Sequence, residues 1–532
     1  MKSRILSHLH AALAAIALLV SHAPAQGTAR VSVDSTGAQG NATSLNGSIS
    51  PDGRYVAFDS AAFNLVPGDS NSATDVFVHD RQTGTTSRVS VDSAGAQGNN
   101  SSHFPSISSD GRYVAFLSFA SNLVAGDSNS NPDVFVHDLQ TGQTSRVSVD
   151  SAGVQGNSFS NLAAISSDGR YVAFESFASN LVLGDVNGGV DIFVHDRQTS
   201  QTSRVSVDSA GVQGNGSSTF PAISSDGRYV AFESFASNLV SGDTNGNYDV
   251  FVHDRQTGQT GRVSVDSASA QGTADSRQPT VSSDGRYVAF YSIASNLVPG
   301  DTNAAIDSFV RDRQTGQTSR VSVDSSGVQG NATSSFPSVS SDGRYVAFGS
   351  QANNLDPADT NGVSDVFVHD RQTGQTSRIS VNSAGAQGNN LSYGPRISSD
   401  GRYVAFVSNA SDLVLGDTNS ATDAFVRDRG AAAGPTLAKS GTCPGAAGLT
   451  VANATPSGSV ALLYGSAGVF VQSGTPCTGL TLGISTPTLG AVVAADGAGS
   501  ASVNFVAPAG VCGSTVQAVD LATCAATNTV VL

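Results

Sequence analysis

Residues 109–116 read Ser-Asp-Gly-Arg-Tyr-Val-Ala-Phe, and this octet recurs at a fixed spacing of 58 residues through most of the chain. Copies begin at Ser109, Ser167, Ser225, Ser283, Ser341 and Ser399, and residues 51–58 are a near match. Two further motifs share the spacing: Asp-Val-Phe-Val-His-Asp starts at residue 75 and Arg-Val-Ser-Val-Asp at residue 30. Three motifs in seven copies each indicate an architecture of seven repeated units.

A repeat of this length that holds several short strands is typical of a β-propeller, in which each unit forms one four-stranded blade. In the unit around Gly111, two tight turns are expected at Asp110-Gly111 and Thr141-Gly142. The predicted strands A to D of this unit are 105–108, 112–118, 133–138 and 145–150. Each blade is therefore predicted to be an antiparallel meander.

The two ends of the repeat array complement each other. Residues 30–34 form a D strand with no C strand before it, and residues 423–429 form a C strand with no D strand after it. Pairing them would close the ring and remove two exposed sheet edges. We therefore predict a closed seven-bladed propeller over residues 26–429. The alternative is an open array, which normally carries atypical capping repeats.

Composition agrees with an all-β protein and excludes several functions. The chain has 532 residues, 57 Gly and no Trp, and Glu occurs only at positions 175 and 233. Strong helix formers are therefore scarce. The formal net charge is −15, and a nucleic-acid partner is not expected, because binding a phosphate backbone needs clustered cations.

The ends of the chain predict export and a second module. Residues 1–25 combine a positive start, an apolar stretch over 5–20 and an Ala-Pro-Ala cleavage site, which predicts a cleaved signal peptide. No later stretch is long and apolar enough for a transmembrane segment. Residues 430–436 are predicted as a linker, and residues 437–532 as a small β-sandwich. Its four cysteines are predicted to form disulfides. Proximity in the sequence favours the pairs Cys443 with Cys477 and Cys512 with Cys524.

The octet followed by Asp-Val-Phe-Val-His-Asp resembles the TolB-type, WD40-like (PD40) propeller repeat over roughly residues 30–429. This resemblance implies a propeller of the bacterial cell envelope that works by binding partner proteins. The predicted location is accordingly periplasmic or extracellular. A repeat of this kind is specific for fold and weak for function.

Strand polarity predicts one face with short A–B and C–D turns and an opposite face with long B–C and D–A loops, where function usually resides. Each B–C loop contains Asp-x-Asn-x-x-x-Asp, and oxygen ligands at this spacing suit Ca2+. The alternative is an Asx turn without an ion. The candidate metal ligands are Asp69, Asn71, Asp75, Asp127, Asn129, Asp133, Asp185, Asn187, Asp191, Asp243, Asn245, Asp249, Asp301, Asn303, Asp307, Asp359, Asn361, Asp365, Asp417, Asn419 and Asp423.

No catalytic motif is found in the sequence. The strand-C histidines are interpreted as structural, because Arg311 and Arg427 replace them in two blades, and His103 is predicted to lie in a loop. The preferred hypothesis is a monomeric, non-enzymatic scaffold whose long-loop face binds a protein or glycan at the cell envelope. The alternative is an enzyme acting on an extracellular polysaccharide or peptide in the central channel, with candidates among residues that depart from the repeat: Tyr248, His103, Glu175 and Glu233.

Overall fold

The computed structural model describes residues 26–430 and the C-terminal segments 436–441, 445–452, 459–471, 481–494, 501–507, 515–520 and 525–531. The predicted signal peptide and all four cysteines lie outside the described residues, so those predictions stay predictions. Within the described ranges, no helix has the length and apolarity that a membrane crossing needs. The all-β prediction is confirmed, because every regular element in these ranges is a strand.

Twenty-eight strands form seven antiparallel sheets of four strands, each sheet being one blade. The innermost strands A are β2 (Ser44–Ile49), β6 (Ser102–Ile107), β10 (Ser160–Ile165), β14 (Ser218–Ile223), β18 (Ser276–Val281), β22 (Ser334–Val339) and β26 (Ser392–Ile397). Strands B are β3 (Tyr55–Ser60), β7 (Tyr113–Ser118), β11 (Tyr171–Ser176), β15 (Tyr229–Ser234), β19 (Tyr287–Ser292), β23 (Tyr345–Ser350) and β27 (Tyr403–Ser408). Strands C are β4 (Asp75–Asp80), β8 (Asp133–Asp138), β12 (Asp191–Asp196), β16 (Asp249–Asp254), β20 (Asp307–Asp312), β24 (Asp365–Asp370) and β28 (Asp423–Asp428). Strands D are β5 (Thr85–Arg88), β9 (Gln143–Arg146), β13 (Gln201–Arg204), β17 (Gln259–Arg262), β21 (Gln317–Arg320), β25 (Thr376–Arg378) and β1 (Gly27–Arg30).

The ring closes through the N-terminal strand, as the complementary ends predict. Strand β1 pairs antiparallel with β28 and supplies the outer strand of blade 7, with Arg30 opposite Phe425. The pairing continues one residue further, because the Val31 N–H donates to the Ala424 carbonyl at 2.8 Å. Blade 7 in turn packs against blade 1, where Val56 and its neighbours share a core with residues of β27 and β28.

Strands B and C are buried on both faces because each blade lies between two others. Phe58 and Phe77 are fully buried and stack with ring centroids 5.9 Å apart, and the equivalent pair recurs in every blade. Val56 and Val78, at neighbouring positions on these strands, contribute to the cores between blades. Apolar contacts between blades therefore account for most of the buried core.

The A–B turn brings neighbouring blades into direct contact on the short-turn face. In blade 2, Gly111 has φ +71°, which glycine adopts without steric cost. Asp110 fixes the turn by accepting hydrogen bonds from the Ser108 hydroxyl at 2.7 Å and the Arg112 N–H at 3.0 Å. Gly111 lies directly against the ring of Tyr55 from blade 1. This close approach explains why the octet has glycine at this position.

Three strand predictions need correction. Strand D was expected over 145–150, but β9 ends at Arg146, because the chain then turns inward and Val149 forms an isolated bridge with Gln155. The opening strand is likewise Gly27–Arg30 rather than 30–34. Strand A was expected over 105–108 but begins at residue 102, and its register with strand B shifts between His103 and Ser106.

The C-terminal segment forms two antiparallel sheets, which agrees with the predicted β module. A three-stranded sheet has the order β29, β30, β33, and a four-stranded sheet has the order β32, β31, β34, β35. The strands are β29 (Thr436–Gly441), β30 (Gly445–Ala452), β31 (Ser459–Val471), β32 (Thr481–Ala494), β33 (Ala501–Ala507), β34 (Thr515–Asp520) and β35 (Ala525–Val531).

Candidate functional site

The acidic B–C loops meet an arginine and a glutamine in a structure that we call the acidic cage, defined in blade 1 by Asp69, Asp75, Arg88 and Gln97. Asp75 is fully buried, and its Oδ1 accepts a hydrogen bond from Ser90 at 2.6 Å. Its Oδ2 accepts from Gln97 Nε2 at 2.8 Å and lies 3.2 Å from Arg88 Nη1. Burial raises the pKa of Asp75 above its ordinary value.

The other two candidate ligands of this loop have partners of their own. Asp69 Oδ1 accepts from the same Gln97 Nε2 at 2.8 Å and lies 3.4 Å from Arg88 Nη1. Asn71 accepts the Ala73 N–H at 2.9 Å, which is an Asx turn, and its Nδ2 donates to the Gly98 carbonyl at 2.8 Å. The cage therefore joins the B–C loop to the following D–A loop.

The same arrangement recurs around the ring. In blade 7 the arginine and the glutamine come from the opening segment, as Arg30 and Gln39 contact Asp417 and Asp423. Blade 6 departs from the pattern, because Arg378 turns to Asp356, at 2.7 Å. The glutamine contact persists there, since Gln387 Nε2 donates to both Asp359 and Asp365 at 2.8 Å.

In every blade except blade 6, the cage thus already holds a guanidinium near both carboxylates. Across the part of the chain that the structure describes, no three His, Cys, Asp or Glu side chains form a group suited to a metal ion. Calcium at this position would have to displace Arg88 and Gln97 from the carboxylate oxygens. The hydrogen bonding favours the Asx-turn alternative, and calcium binding stays a prediction that melting with calcium and then with a chelator would test.

The repeated strand-C histidine lies in a hydrogen-bonded chain between blades. His79 Nδ1 lies 2.9 Å from Thr86 Oγ1, and this hydroxyl donates to the Val33 carbonyl at 2.5 Å. Where arginine replaces histidine, Arg311 Nη1 donates to Thr318 Oγ1 at 3.0 Å and to the Asp266 carbonyl at 2.8 Å. Both residue types therefore contact the same threonine, which supports the structural interpretation of this position.

Burial makes these histidines a source of acid sensitivity. It lowers the pKa of His369 from 6.5 to about 4, so the unfolded chain takes up this proton before the folded chain does. The contribution of His369 to the free energy of unfolding is therefore fully present above pH 6.5 and is lost as the pH falls toward 4. At 1.36 kcal/mol per pKa unit, the loss is about 3 kcal/mol. We expect His369→Arg, which copies blade 5, to remove that loss in urea unfolding measured across this pH range.

The reverse exchange is the matched control for this prediction. Arg311→His should introduce an acid-dependent loss of similar size, because it gives blade 5 the residue that blade 6 has. The buried cage aspartates have raised pKa values and act in the opposite direction, but both variants retain them. If the free energy of unfolding falls equally with pH in His369→Arg and in the unmodified protein, His369 is not the source of the acid sensitivity.

Three carboxylates on the long-loop face accept backbone N–H groups from the strand A irregularity of the next blade. Glu175 Oε2 accepts the Phe220 N–H at 3.0 Å, and Glu233 Oε2 accepts the Gln278 N–H at 2.7 Å. Asp59 Oδ2 likewise accepts the Phe104 N–H at 3.3 Å. These side chains therefore satisfy backbone donors that the shifted register leaves unpaired.

The residues of the enzymatic alternative lie at three junctions between blades: 1 and 2, 3 and 4, and 4 and 5. His103 lies in strand β6, not in a loop as expected, and its Nδ1 is 3.2 Å from Asp59 Oδ2. Glu175 belongs to the junction of blades 3 and 4, and burial, with a smaller contribution from the charge of Glu233, raises its pKa to about 7. The Tyr248 ring packs against Phe235 at 5.4 Å and lies 3.8 Å below the guanidinium of Arg277.

Exposed phenylalanines flank these carboxylates and form a surface that sequence reasoning missed. We call it the aromatic crescent, and it comprises Phe104, Phe119, Phe177, Phe220, Phe235 and Phe336. Between 36% and 51% of each residue is exposed. Phe104, Phe220 and Phe336 line the mouth of the central cavity. Phe119, Phe177 and Phe235 follow strand B, where blades 6 and 7 have Gln351 and Asn409.

The central cavity has a volume of about 890 Å³ and is lined by the strands A of all seven blades. Aliphatic side chains at the end of these strands, such as Ile49 and Ile397, form one level of the lining. Serines of the A–B turns, such as Ser109 and Ser399, form the next level toward the short-turn face. The volume suits a small organic ligand.

The protein was compared with known families, curated proteins and solved structures. No family model matches the chain, and no curated protein matches it. Similar solved structures include a putative TolB from Agrobacterium tumefaciens, with 16% identity, a TM-score of 0.36, and coverage of 65% of this chain and 94% of that one. TolB from Acinetobacter baumannii has 16% identity and a TM-score of 0.35. The match covers 71% of this chain and 82% of that one.

An acylaminoacyl peptidase from Pyrococcus horikoshii is also similar, with 10% identity and a TM-score of 0.44. The match covers 78% of this chain and 59% of the peptidase. The TolB-type resemblance expected from the octet is thus found again among solved structures. The assignment of a seven-bladed propeller rests on the strand pairing of this chain itself.

Proposed function

We propose that this protein is a non-enzymatic binding module of the bacterial cell envelope or its surroundings, and that the aromatic crescent binds a segment of a partner protein. The observation that carries the proposal is the exposure of six phenylalanines on the long-loop face, three of which line the channel mouth. Exposed apolar surface rimmed by polar residues marks interaction sites in soluble proteins. Aromatic residues are also enriched among the anchors of protein interfaces.

The backbone at three of these phenylalanines strengthens the argument. Phe104, Phe220 and Phe336 have φ values of +53°, +53° and +54°, a region that is rare for bulky residues and costs energy. In blade 7 the equivalent residue is Gly394, at φ +63°, which adopts this conformation without that cost. The fold thus accommodates glycine here, and phenylalanine brings strain together with exposed aromatic area. A binding role accounts for that combination.

The chemistry of the crescent favours a protein partner over a glycan. Its members are phenylalanines, which offer no hydroxyl or indole N–H group to a sugar. Charged groups border it, because Arg277 lies 2.9 Å from Asp275 and 3.4 Å from Glu233. An apolar centre with a charged border is the usual anatomy of a protein interface.

The experiment compares peptide and glycan binding by the intact chain and a crescent variant. The variant carries Phe119→Gln, Phe177→Gln and Phe235→Gln, which copy Gln351 of blade 6 and so preserve what the fold already tolerates. A displayed library of random peptides should yield binders with apolar anchors. Their affinity should fall at least about tenfold in the variant, equivalent to ~1.4 kcal/mol.

Matched controls make this result specific to the crescent. Val154→Ser and Val212→Ser remove exposed apolar side chains from D–A loops outside the crescent and should leave peptide binding unchanged. Binders that ignore the three phenylalanines would contradict the proposal. A screen that returns glycans instead of peptides would replace the protein partner with a carbohydrate.

The enzymatic alternative rests on one specific observation, the raised pKa of Glu175 at the channel wall. A carboxyl group with a pKa of about 7 suits general acid–base catalysis near neutral pH. Glu175→Gln keeps an oxygen acceptor for the Phe220 N–H, so the variant should fold. Hydrolysis or lyase activity on polysaccharides or peptides that is lost in this variant, at unchanged melting temperature, would overturn the non-enzymatic proposal.

A further inference from the structure

The channel wall carries a cation that breaks the repeat. Arg396 lies in strand β26 and lines the central cavity. At the equivalent position the other six blades have small, uncharged side chains: Ser48, Ser106, Ala164, Ala222, Thr280 and Ser338. One guanidinium therefore projects into an otherwise small-residue level of the channel.

This guanidinium has few partners. Its Nη1 donates to the carbonyl of the preceding Pro395 at 3.0 Å. In the described part of the chain it forms no other hydrogen bond and no ion pair, although a guanidinium has five N–H donors. The residue is exposed, and no neighbouring charge in the ranges that the structure describes contributes to its surroundings. The cage arginine Arg88 and the A–B turn arginine Arg54 contact carboxylates, whereas Arg396 contacts none among the described residues.

Hydroxyl groups flank it on both sides. Ser338 of blade 6 accepts the Ile397 N–H at 3.1 Å, and Ser48 of blade 1 accepts the Ile107 N–H at 3.4 Å. Each hydroxyl oxygen is thus used as an acceptor, which leaves its own proton to donate into the channel. Positive charge and O–H donors at one level suit an oxyanion.

The floor below Arg396 is narrow and polar. Six serines of the A–B turns are joined around the axis by backbone hydrogen bonds from each N–H to the next carbonyl, and the last, from Ser399, reaches Pro51. Hydroxyls in this ring also touch, because Ser341 Oγ lies 2.6 Å from Ser283 Oγ and 2.7 Å from Ser399 Oγ. A ligand that contacts Arg396 is therefore expected to extend toward the long-loop end, past cavity-lining residues such as Leu162 and Pro221.

The other ionisable group on this path does not compete for the cation. Glu175 also lines the cavity, but it pairs with Asn161 near the start of strand A, whereas Arg396 is near the end. At about 3.3 Å per residue, three positions separate the two levels by roughly 10 Å. Its Oε2 is already engaged by the Phe220 N–H.

We infer that the central channel is a binding site for a ligand with one carboxylate on an apolar body, and that Arg396 pairs with the carboxylate. A guanidinium matches a carboxylate through two parallel hydrogen bonds. One cation balances one negative charge, and apolar lining residues toward the long-loop end, such as Leu162 and Pro221, suit an apolar body rather than a polyanion. The ligand is either a free organic acid or the carboxyl terminus of a chain inserted from the long-loop face.

The test measures binding of N-acetyl-leucine to the intact protein by calorimetry, beside its uncharged amide and inorganic phosphate. We expect the acid to bind at millimolar or lower concentration and the amide to bind at least about tenfold more weakly. Arg396→Ser should abolish this preference. The variant copies three other blades, so it should melt like the unmodified protein. Arg277→Gln, outside the cavity, should keep the preference.

A pair of hexapeptides that end in leucine, one with a free carboxyl terminus and one amidated, separates the two sources. Binding of the free acid alone identifies a small-molecule site, and stronger binding of the free hexapeptide identifies a chain terminus. Equal binding of acids and amides, undiminished binding in Arg396→Ser, or tighter binding of phosphate than of any carboxylate would overturn the inference. The crescent variant with three glutamines should still bind N-acetyl-leucine, so this site can fail or succeed independently of the crescent.

Discussion

Deletion of residues 26–34 should abolish cooperative folding of the propeller or lower its stability on the order of 10 kcal/mol, which is comparable with the total for a domain. The deletion removes the outer strand of blade 7 and leaves one edge of β28 without a partner. It also removes Val31, which is buried in the core that joins blades 7 and 1. Burial of such a side chain contributes about 2 kcal/mol.

The larger cost comes from the cage that the opening segment completes. Asp423 is fully buried and accepts hydrogen bonds from Ser32 at 2.7 Å and Gln39 at 2.9 Å. Arg30 lies 3.3 Å from the same carboxylate. Removing the partners of a buried charge typically costs about 3–5 kcal/mol, and an exposed strand edge invites aggregation.

Urea unfolding, monitored by circular dichroism, measures the loss of stability. Two controls test whether the loss is caused by the missing strand. Removal of residues 1–25 alone leaves β1 intact and should not change the midpoint. A synthetic peptide of residues 26–34 should restore a cooperative transition to the deleted protein, because it carries the strand, Arg30 and Ser32. A deleted protein with an unchanged midpoint would show that ring closure does not depend on this strand.

Much of the fold could be predicted because the sequence repeats itself. The spacing fixed the number of blades, and the incomplete units at the two ends identified the strand that closes the ring. Strand bounds were less accurate. The chain leaves strand D after Arg146 because the buried Val147 and Ser148 turn toward the blade interior, and alternation alone cannot distinguish that turn from a longer strand.

The acidic cage shows what the local sequence could not reveal. The loop motif supplied three oxygen-bearing residues, and spacing alone suggested a cation site. The cation and amide that bind them, Arg88 and Gln97, come from strand D and the next loop. The signal was present, because a glutamine follows the first loop aspartate by the same spacing in six of the seven blades. Its meaning depended on how two loops pack together.

Arg396 is visible in the sequence as a departure from the repeat, whereas phenylalanine is the commonest residue at the repeat positions of Phe104 and Phe119. The alternation of a regular strand would assign Phe104 and Arg396 each to one face of strand A. The irregularity in strand A changes that assignment, because its register with strand B shifts after the second residue. Whether these side chains face the channel could therefore be decided only from the structure.

Gly111→Ala should destabilise the propeller by about 4 kcal/mol, whereas Gly142→Ala in the same blade should cost only about 1 kcal/mol. The two glycines have nearly the same φ, +71° and +72°, so an alanine at either position has the same cost for the left-handed region, roughly 1–2 kcal/mol. A Cβ at Gly142 would meet nothing within 4 Å. At Gly111 it would lie 2.1 Å from Tyr55 Cδ2 of the neighbouring blade.

That contact cannot be relieved cheaply because the Tyr55 ring is held on its other sides. The Arg54 guanidinium stacks on it with a separation of 4.6 Å and is fixed by bidentate hydrogen bonds to Asp80 at 2.9 and 2.7 Å. Displacing a packed side chain adds about 1–3 kcal/mol. Urea unfolding of both variants measures the difference, and Tyr55→Ala should restore near-equal costs by removing the obstacle. Equal losses with Tyr55 present would show that the glycine serves the turn alone, and not the contact between blades.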